Sequence, residues 1–330
     1  GVGGVDGLNE EVSVQVSDDG KHLYVAAFSD GSAAVFARDE TSGLVTFTQK
    51  VTGNTAQAFA VELSPDQRHV YVSASSSAVT VYDRDPASGV LTLRQTIRNS
   101  DPGVSGLLGA AGASLSPDGE HLYVAGRNSQ GVAVLDRDRS TGELSFVQFI
   151  PDPFPSTNPY PISVLVSPDG HHVVAMFDVY DAIAVYSRHP VTGQLSLVQT
   201  HRDGFGGVDG LNGAWDAEFS HDDQNLYVVG AYDDAVVVFD RAAGQRIPSA
   251  TTATVTAGDT TTLGSFAAIN EIPTVESVTY SGPTPITAAT IDVQIVFSEP
   301  VLGFGVEDLT LGGTLGATTL TGFTGNGDTY

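Results

Sequence analysis

The sequence predicts an all-β protein whose first three quarters form a β-propeller of four-stranded antiparallel blades. A string close to Ser-x-Asp-Gly-x-His-Leu-Tyr-Val recurs five times, at intervals of 47 to 53 residues. Within each repeat, short apolar runs of strand length alternate with turn-forming residues, and no stretch of comparable length has helical apolar spacing. Repeats of about 50 residues made only of strands are typical of propeller blades.

Three further positions recur with the serine that anchors each string. His follows the anchor by five residues, Tyr or Val by seven, and Arg by 20 or 21. The anchors are Ser17, Ser64, Ser116, Ser167 and Ser220, and the recurring residues are His22, His69, His121 and His172; Tyr24, Tyr71, Tyr123, Val174 and Tyr227; and Arg38, Arg84, Arg137, Arg188 and Arg241. Because equivalent positions are rotated around a ring, we expect the histidines to be structural rather than metal ligands. We expect the arginines to pair with nearby carboxylates.

The third repeat shows the predicted order of elements within a blade. Its four strands are expected at residues 111–115, 121–125, 132–136 and 144–149, separated by turns at 116–119, 127–131 and 137–142. The last strand alternates apolar and polar residues, as a half-buried strand does. We expect the first strand of each blade to lie innermost, along the propeller axis.

These strings resemble the YVTN-type, lactonase-like β-propeller repeats. The resemblance rests on residues 116–124, 136–144 and 203–214, and it extends over residues 4–246. It implies a propeller that commonly has seven blades, so the five readable repeats fit part of a seven-bladed ring. The family includes a phosphogluconolactonase, and many of its members resemble non-catalytic secreted repeat proteins.

The fifth repeat departs from the other four. After Arg241 it lacks the Thr-Gly-x-Leu turn and the fourth strand. Three arrangements would complete it: residues 251–256 supply the missing strand, further blades precede the chain, or a neighbouring chain completes the ring.

A change of composition marks a second region. Arg246 is the last basic residue, and Thr becomes frequent after it. We predict a propeller over residues 1–247, a linker or closing strand over 248–271, and a partial domain over 272–330. The string Phe-Ser-Glu-Pro-Val at 297–301 resembles bacterial Ig-like domains, which implies a C-terminal Ig-like β-sandwich. With 59 residues against the roughly 100 of such a sandwich, this domain is expected to be truncated.

The chain is strongly acidic. It has 14 Lys and Arg against 39 Asp and Glu, which gives a formal charge of −25. Such a surface repels phosphate backbones, so we expect no nucleic acid partner. No apolar run is long enough to span a membrane, and cysteine is absent. The composition suits an extracellular or cell-surface protein, although the sequence contains no signal peptide.

One end of the propeller is the expected functional face. In the up-and-down order of a blade, loops leading into the first strand and loops between the second and third strands lie at the same end. The candidate interaction face there comprises Asp30, Arg127, Asn128, Asp178, Asp181, Trp215, Asp233 and Asp234.

A calcium site is one interpretation of the oxygen-bearing residues at this end. Asp6 with Asn9, or Asp209 with Asn212, would supply the oxygen ligands that calcium prefers. The alternative is that the repeated Gly-Val-Asp-Gly-Leu-Asn strings are turns, in which Asp and Asn cap local backbone groups.

Two functions fit these observations. The sequence shows no catalytic nucleophile, base or metal set. The first function is therefore a non-catalytic extracellular structural or adhesion protein, with the propeller as interaction scaffold and the Ig-like module as spacer or assembly element. Its partners would be other extracellular proteins or copies of itself, and it would not hydrolyse lactones. The alternative, implied by the resemblance, is a secreted lactonase-like hydrolase acting on a sugar lactone or a related lactone. Arg127 is then the loop cation placed to stabilise an oxyanion.

Overall fold

A computed structural model of the chain describes residues 8–52, 56–154 and 160–243, together with strands at 265–268, 275–281, 292–301 and 327–329. For residues 11, 12, 241–243 and the four later strands, the description is of the backbone. The chain divides into two units, Gly1–Ala268 and Ile269–Tyr330. Within the described residues, no helix is long and apolar enough to cross a membrane.

Five sheets form the five blades that the repeats predict. The first contains β1 (Glu11–Val16), β2 (His22–Ala27), β3 (Ser32–Arg38) and β4 (Val45–Val51), and the second contains β5 (Ala58–Leu63), β6 (His69–Ala74), β7 (Ala78–Arg84) and β8 (Leu91–Arg98). The third contains β9 (Ala110–Leu115), β10 (His121–Gly126), β11 (Gly131–Arg137) and β12 (Leu144–Pro151), and the fourth contains β13 (Pro161–Val166), β14 (His172–Phe177), β15 (Ala182–Arg188) and β16 (Leu195–Arg202). The fifth contains β17 (Ala214–Phe219), β18 (Asn225–Gly230), β19 (Ala235–Ala243) and β20 (Ser265–Ala268). The prediction of an all-β propeller is confirmed.

The outermost strand of the fifth blade is not antiparallel to its neighbour, unlike the other strands of the five blades. There β20 pairs with β19 in parallel. This strand lies within the range 248–271 that the sequence assigns to a linker or closing strand. Residues 251–256, the closing strand considered above, lie outside the described residues.

The blades pack face to face, with the first strand of each blade innermost. Strands β1, β5, β9, β13 and β17 are neighbours in succession. At the first junction, Tyr24 and Val35 of one blade pack against Val61, Leu63 and Leu91 of the next in a buried apolar cluster. Side chains of an inner strand alternate between the two faces of its blade. One set therefore packs against the preceding blade, and the other set packs against the following blade.

A buried arginine joins neighbouring blades. Arg137, the last residue of β11, reaches into the second blade, where its Nη2 donates to Oδ2 of Asp66 (2.9 Å) and to Nδ1 of His69 (2.9 Å). Its Nε donates to the hydroxyl of Tyr71 at 2.5 Å. That hydroxyl donates in turn to the carbonyl oxygen of Gly142 in the third blade, at 2.9 Å. Since each group has a partner, the charge and the hydroxyl are buried without loss of hydrogen bonding.

The same contact recurs at two other junctions. Arg84 Nε donates to Tyr24 at 2.6 Å, and Arg188 Nε donates to Tyr123 at 2.8 Å. Arg188 also donates to Oδ2 of Asp118 at 2.6 Å. Arg84, Arg137 and Arg188 therefore each lie beside a carboxylate, as predicted for the repeated arginines, whereas Arg38 donates to the carbonyl oxygen of Gly20. A structural role for the histidines stays a prediction.

The first and fifth blades each have one exposed face. The equivalent faces of the other blades are buried against a neighbouring blade. Val14 is 59% exposed, whereas Val61, its equivalent in the second blade, is fully buried. Tyr227 and Val229 are 38% and 43% exposed, whereas Tyr123 and the other equivalents at interior junctions are buried. Within the part of the chain that the structure describes, no neighbouring blade covers these side chains as one covers their equivalents.

The second unit contains a small sheet. Its described strands are β21 (Val275–Ser281), β22 (Asp292–Val301) and β23 (Gly327–Thr329), which pair antiparallel in that order. Strand β22 contains the Phe-Ser-Glu-Pro-Val string. An Ig-like sandwich over 272–330 stays a prediction.

Candidate active site

Two kinds of loop meet at one end of the propeller, which we call the loop face. They are the loops that lead into the inner strands and the loops that join the second and third strands of each blade. The antiparallel order places both kinds at the same end. The Ser-x-Asp turns and the interblade arginines lie at the opposite end, so the structural contacts leave the loop face available for other roles.

Every described residue of the candidate interaction face lies at this end. Asp30 belongs to the first blade, Arg127 and Asn128 to the third, Asp178 and Asp181 to the fourth, and Trp215, Asp233 and Asp234 to the fifth. The structure brings two of them, Arg127 and Asp178, together across a blade junction.

Arg127 and Asp178 form an ion pair where the third and fourth blades meet. Nη2 of Arg127 lies 3.6 Å from Oδ2 of Asp178. The guanidinium also lies over the ring of Tyr160, 5.5 Å from its centroid. Since Tyr160 directly precedes the inner strand β13, the pair sits beside the start of the inner strands. An oxygen of a bound ligand that contacts Arg127 would lie within reach of Asp178.

The environment of Asp178 favours a basic carboxylate. The residue is only 5% exposed, and this burial raises its pKa above the usual value, while the charge of Arg127 partly opposes the rise. Its Oδ1 accepts a hydrogen bond from the backbone N–H of Val179 at 2.9 Å, which fixes the carboxylate. The Arg127 side chain is 41% exposed, so the cationic side of the pair is open to solvent and to ligands. A carboxyl group with a raised pKa next to a cation is typical of catalytic sites.

A second group of carboxylates lies on the inner strands. Glu62 on β5 accepts a hydrogen bond from the backbone of Leu115 on β9. Burial, together with the charge of Glu218 on β17, raises the pKa of Glu62 to about 8. Burial and the charge of Asp216 raise the pKa of Glu218 as well. Glu62 is therefore mostly protonated and uncharged at neutral pH.

Of the predicted calcium ligands that the structure describes, Asn9 lies in the first blade and Asp209 and Asn212 lie in the fifth. Asp209 lies beside Asp203 and Asp233, with carboxylate oxygens within 4.8 Å of one another. Two of these three carboxylates already accept backbone hydrogen bonds. Asp203 accepts from Gly210 at 2.8 Å, and Asp233 accepts from Asn212 at 3.0 Å.

Asn212 contributes its backbone to this loop, and its carbonyl oxygen accepts from Tyr232 at 3.0 Å. In the first blade, the carbonyl oxygen of Asn9 likewise accepts from Ser29 at 3.2 Å. Asp6 lies outside the described residues. These contacts are those of the turn interpretation, and calcium binding stays a prediction.

The remaining residues of the face have local roles or are exposed. The side chain of Asn128 packs against Gly109, where an added Cβ would meet it at 2.9 Å. Oδ1 of Asp181 accepts a hydrogen bond from Gly213 at 2.9 Å. Trp215 is 46% exposed on β17, at the bulge between Ala214 and Asp216.

The sequence did not single out Tyr160, Glu62 or Glu218. A signal existed for the two glutamates, since each lies two residues before an anchoring serine and hence at the same place on an inner strand. Tyr160 carries no comparable signal, because its contact with Arg127 joins different blades.

This chain is similar to a curated protein and to several solved structures. A 6-phosphogluconolactonase of Klebsiella pneumoniae is 24% identical over 199 residues, which are 59% of this chain and 57% of that protein. Among solved structures, a protein from Lactobacillus plantarum has a TM-score of 0.61 at 22% identity, covering 70% of this chain and 67% of that one. The periplasmic gluconolactonase of Pseudomonas aeruginosa has a TM-score of 0.58 at 20% identity, covering 70% and 68%. The chain thus spans a little over half the length of the curated relative, and the solved structures share its fold.

The family described as lactonase, 7-bladed β-propeller, matches residues 3–102 and 76–209, more than half of the chain. The expectation of a non-catalytic structural or adhesion protein is wrong, because relatives are named lactonases and point to a lactonase-like hydrolase. A site assembled from the loops of several blades leaves no contiguous motif, so the lack of a motif was no evidence against an enzyme. The chain belongs to the lactonase family of seven-bladed β-propellers.

Proposed function

We propose that this protein hydrolyses a lactone at the Arg127–Asp178 pair on the loop face. Family membership supports this reaction class. The observation that carries the proposal is the 3.6 Å approach of an exposed guanidinium to a buried carboxylate. Ester hydrolysis needs a base for water and a positive group for the developing oxyanion, and this pair supplies both.

In the proposed step, the lactone carbonyl oxygen binds to Arg127. Asp178 accepts a proton from a water molecule as its oxygen attacks the carbonyl carbon. The guanidinium stabilises the negative charge of the tetrahedral intermediate. When the bond from the carbonyl carbon to the ring oxygen breaks, Asp178 returns the proton to that oxygen. The product is a hydroxy acid, which releases one proton as its carboxyl group ionises at neutral pH.

We also propose a periplasmic or secreted location. The acidic composition supports it, as does the shared fold with a periplasmic gluconolactonase. Calcium at Asp209 and Asn212, and partners such as other extracellular proteins or copies of this chain, stay predictions.

Proton release in a pH-stat, with a sugar 1,5-lactone as substrate, tests the proposed reaction. The wild-type protein should release protons faster than the spontaneous rate. Arg127→Ala and Asp178→Asn should each lower kcat/KM by roughly 100-fold or more, because they remove the oxyanion partner and the base.

Arg139→Ala is the matched control. Arg139 also forms an ion pair, with Glu120 at 3.9 Å, and is 62% exposed, but it lies in the turn between β11 and β12 at the opposite end. This variant should keep the wild-type rate. A wild-type rate equal to the spontaneous rate, or equal losses in all three variants, would contradict the proposal.

A further inference from the structure

A buried histidine lies at each of the first three blade junctions. His22, His69 and His121 are between 1% and 3% exposed. An arginine of the following blade reaches each ring, and the distance from its Nη2 to Nδ1 is 3.1 Å at His22 and 2.9 Å at the other two. These arginines are, in the same order, Arg84, Arg137 and Arg188. The same arrangement therefore occurs three times, and the three junctions can be compared.

The contact requires a neutral histidine. A guanidinium has only N–H donors and stays charged, so Nδ1 of His22 must accept from Arg84 and the ring proton must lie on Nε2. Protonation of Nδ1 would remove this acceptor and place two positively charged groups in contact, with nitrogen atoms 3.1 Å apart. The ring has no room to move towards the turn of the second blade, because a Cβ added to Gly89 would meet its Cδ2 at 2.3 Å. A protonated His22 therefore destabilises this junction.

Carboxylates flank the equivalent rings at the next two junctions. Oδ1 of Asp83 lies 3.7 Å from Nε2 of His69, and Oδ1 of Asp136 lies 3.8 Å from Nε2 of His121. Each carboxylate belongs to the third strand of its blade and pairs directly with the histidine across the strands. In the first blade this position is Ala37, so the ring there has no carboxylate at the equivalent place.

The arginine of the first junction also has a more distant carboxylate. Asp19 lies 3.9 Å from Arg84. The equivalent aspartates of the next two junctions, Asp66 and Asp118, lie 2.9 Å and 2.6 Å from their arginines. Negative charge is therefore farther from the first histidine–arginine pair than from the other two.

The surroundings of His22 favour its neutral form. Burial lowers the pKa of His22 below its usual value of 6.5, and the charge of Arg84 lowers it further. Lys21 acts in the same direction, while Asp19 and Asp85 oppose it. Burial and the neighbouring arginine also lower the pKa of the other two histidines. The further charges there are Asp66, Asp83 and Arg68 around His69, and Asp118, Asp136 and Glu120 around His121.

We propose that the junction between the first and second blades is acid-sensitive and opens before the other junctions as the pH falls. The first blade packs against the second, and its other face is exposed at Val14, so opening this junction releases the whole first blade from its described neighbour. In the open state His22 has its ordinary pKa of 6.5, whereas in the closed state the pKa is lower. The stability that neutral His22 contributes is thus fully present above pH 6.5 and is lost as the pH falls below it.

Hydrogen exchange of the wild-type protein at pH 7.5 and pH 5.0, corrected for the intrinsic pH dependence of exchange, tests this proposal. The exchange of strands β1 to β4 should become faster by up to about tenfold for each pH unit below 6.5, because the open state takes up a proton that the closed state excludes. The third and fourth blades should change less. Equal acceleration in all blades, or unchanged exchange in the first blade, would overturn the proposal.

Two variants should remove the acid response of the first blade. Ala37→Asp supplies the carboxylate found at Asp83 and Asp136 in the next blades, and His22→Gln removes the titrating group while its amide oxygen can still accept from Arg84. His221→Gln is the control, because His221 is exposed in a turn of the fifth blade and should leave the response as in wild type. If His22→Gln does not fold, Ala37→Asp decides alone. An acid response in Ala37→Asp equal to that of wild type contradicts the proposal, and these readouts do not depend on lactone hydrolysis.

Discussion

Nε of Arg188 donates to the hydroxyl of Tyr123 at 2.8 Å, across the junction between the fourth and third blades. Both residues are buried, and burial raises the pKa of Tyr123 to about 12, so the hydroxyl stays protonated. It donates to the carbonyl oxygen of Gly193 in the fourth blade at 2.9 Å. One hydroxyl therefore links the two blades through two hydrogen bonds.

Arg188→Met should destabilise the propeller by about 2 kcal/mol, because it leaves the Tyr123 hydroxyl and the Asp118 carboxylate without their arginine partner. Arg38→Met is the matched control. Arg38 occupies the same position in the first blade, where its Nη1 donates to the carbonyl oxygen of Gly20 in its own blade, at 3.0 Å. Chemical denaturation of both variants measures the difference. If both variants lose the same free energy of unfolding, the contact between blades does not contribute to stability.

Equivalent valines on the inner strands should respond differently to the same substitution. Val61→Ser should cost about 2 kcal/mol or more in the free energy of unfolding, because it removes buried apolar groups and buries a hydroxyl. Val14→Ser should change it by about 0.5 kcal/mol or less, because Val14 is 59% exposed. Both positions lie in strands, so the loss of β-propensity is shared. Denaturation midpoints that shift equally would mean that Val14 is also covered by a blade in solution.

Glu62 should make the stability depend on pH. The unfolded chain ionises this carboxyl near its ordinary pKa of 4.5, whereas in the folded protein burial raises the pKa to about 8. The stability that Glu62 contributes is thus fully present below pH 4.5 and is lost as the pH rises through 8. Thermal unfolding of Glu62→Gln and wild type between pH 4.5 and 8.5 measures the effect. The variant should gain stability relative to wild type as the pH rises, and a constant difference would contradict the assignment.

The repeat spacing predicts the strands closely because strand and turn signals are local. In the third blade the observed strands Ala110–Leu115 and His121–Gly126 differ from the predicted 111–115 and 121–125 by one residue at one end. The positions of the loops also follow from strand order, which is why the sequence could group them at one end of the propeller.

Such local signals could not predict which residues contact each other between blades. Arg188 and Tyr123 are 65 residues apart in sequence, and the sequence predicted that the arginine pairs with a carboxylate but assigned neither the tyrosine nor the blade. The Arg127–Asp178 pair is a similar case, since its members belong to different blades and its basicity depends on burial. The sequence identified both residues as part of one face, and only the structure brought them together.

The pH dependence of kcat/KM for a sugar 1,5-lactone tests the central claim most directly. Asp178 acts as a base only when ionised, so the rate should fall on the acid side as this carboxyl is protonated. Burial raises the pKa of Asp178, and the charge of Arg127 opposes part of that rise. In Arg127→Ala the acid limb should therefore move to higher pH, while Arg127→Lys, which keeps the charge, should leave it near the wild-type position. An acid limb that stays at the same pH in Arg127→Ala would contradict the assignment of Asp178 as the base beside Arg127.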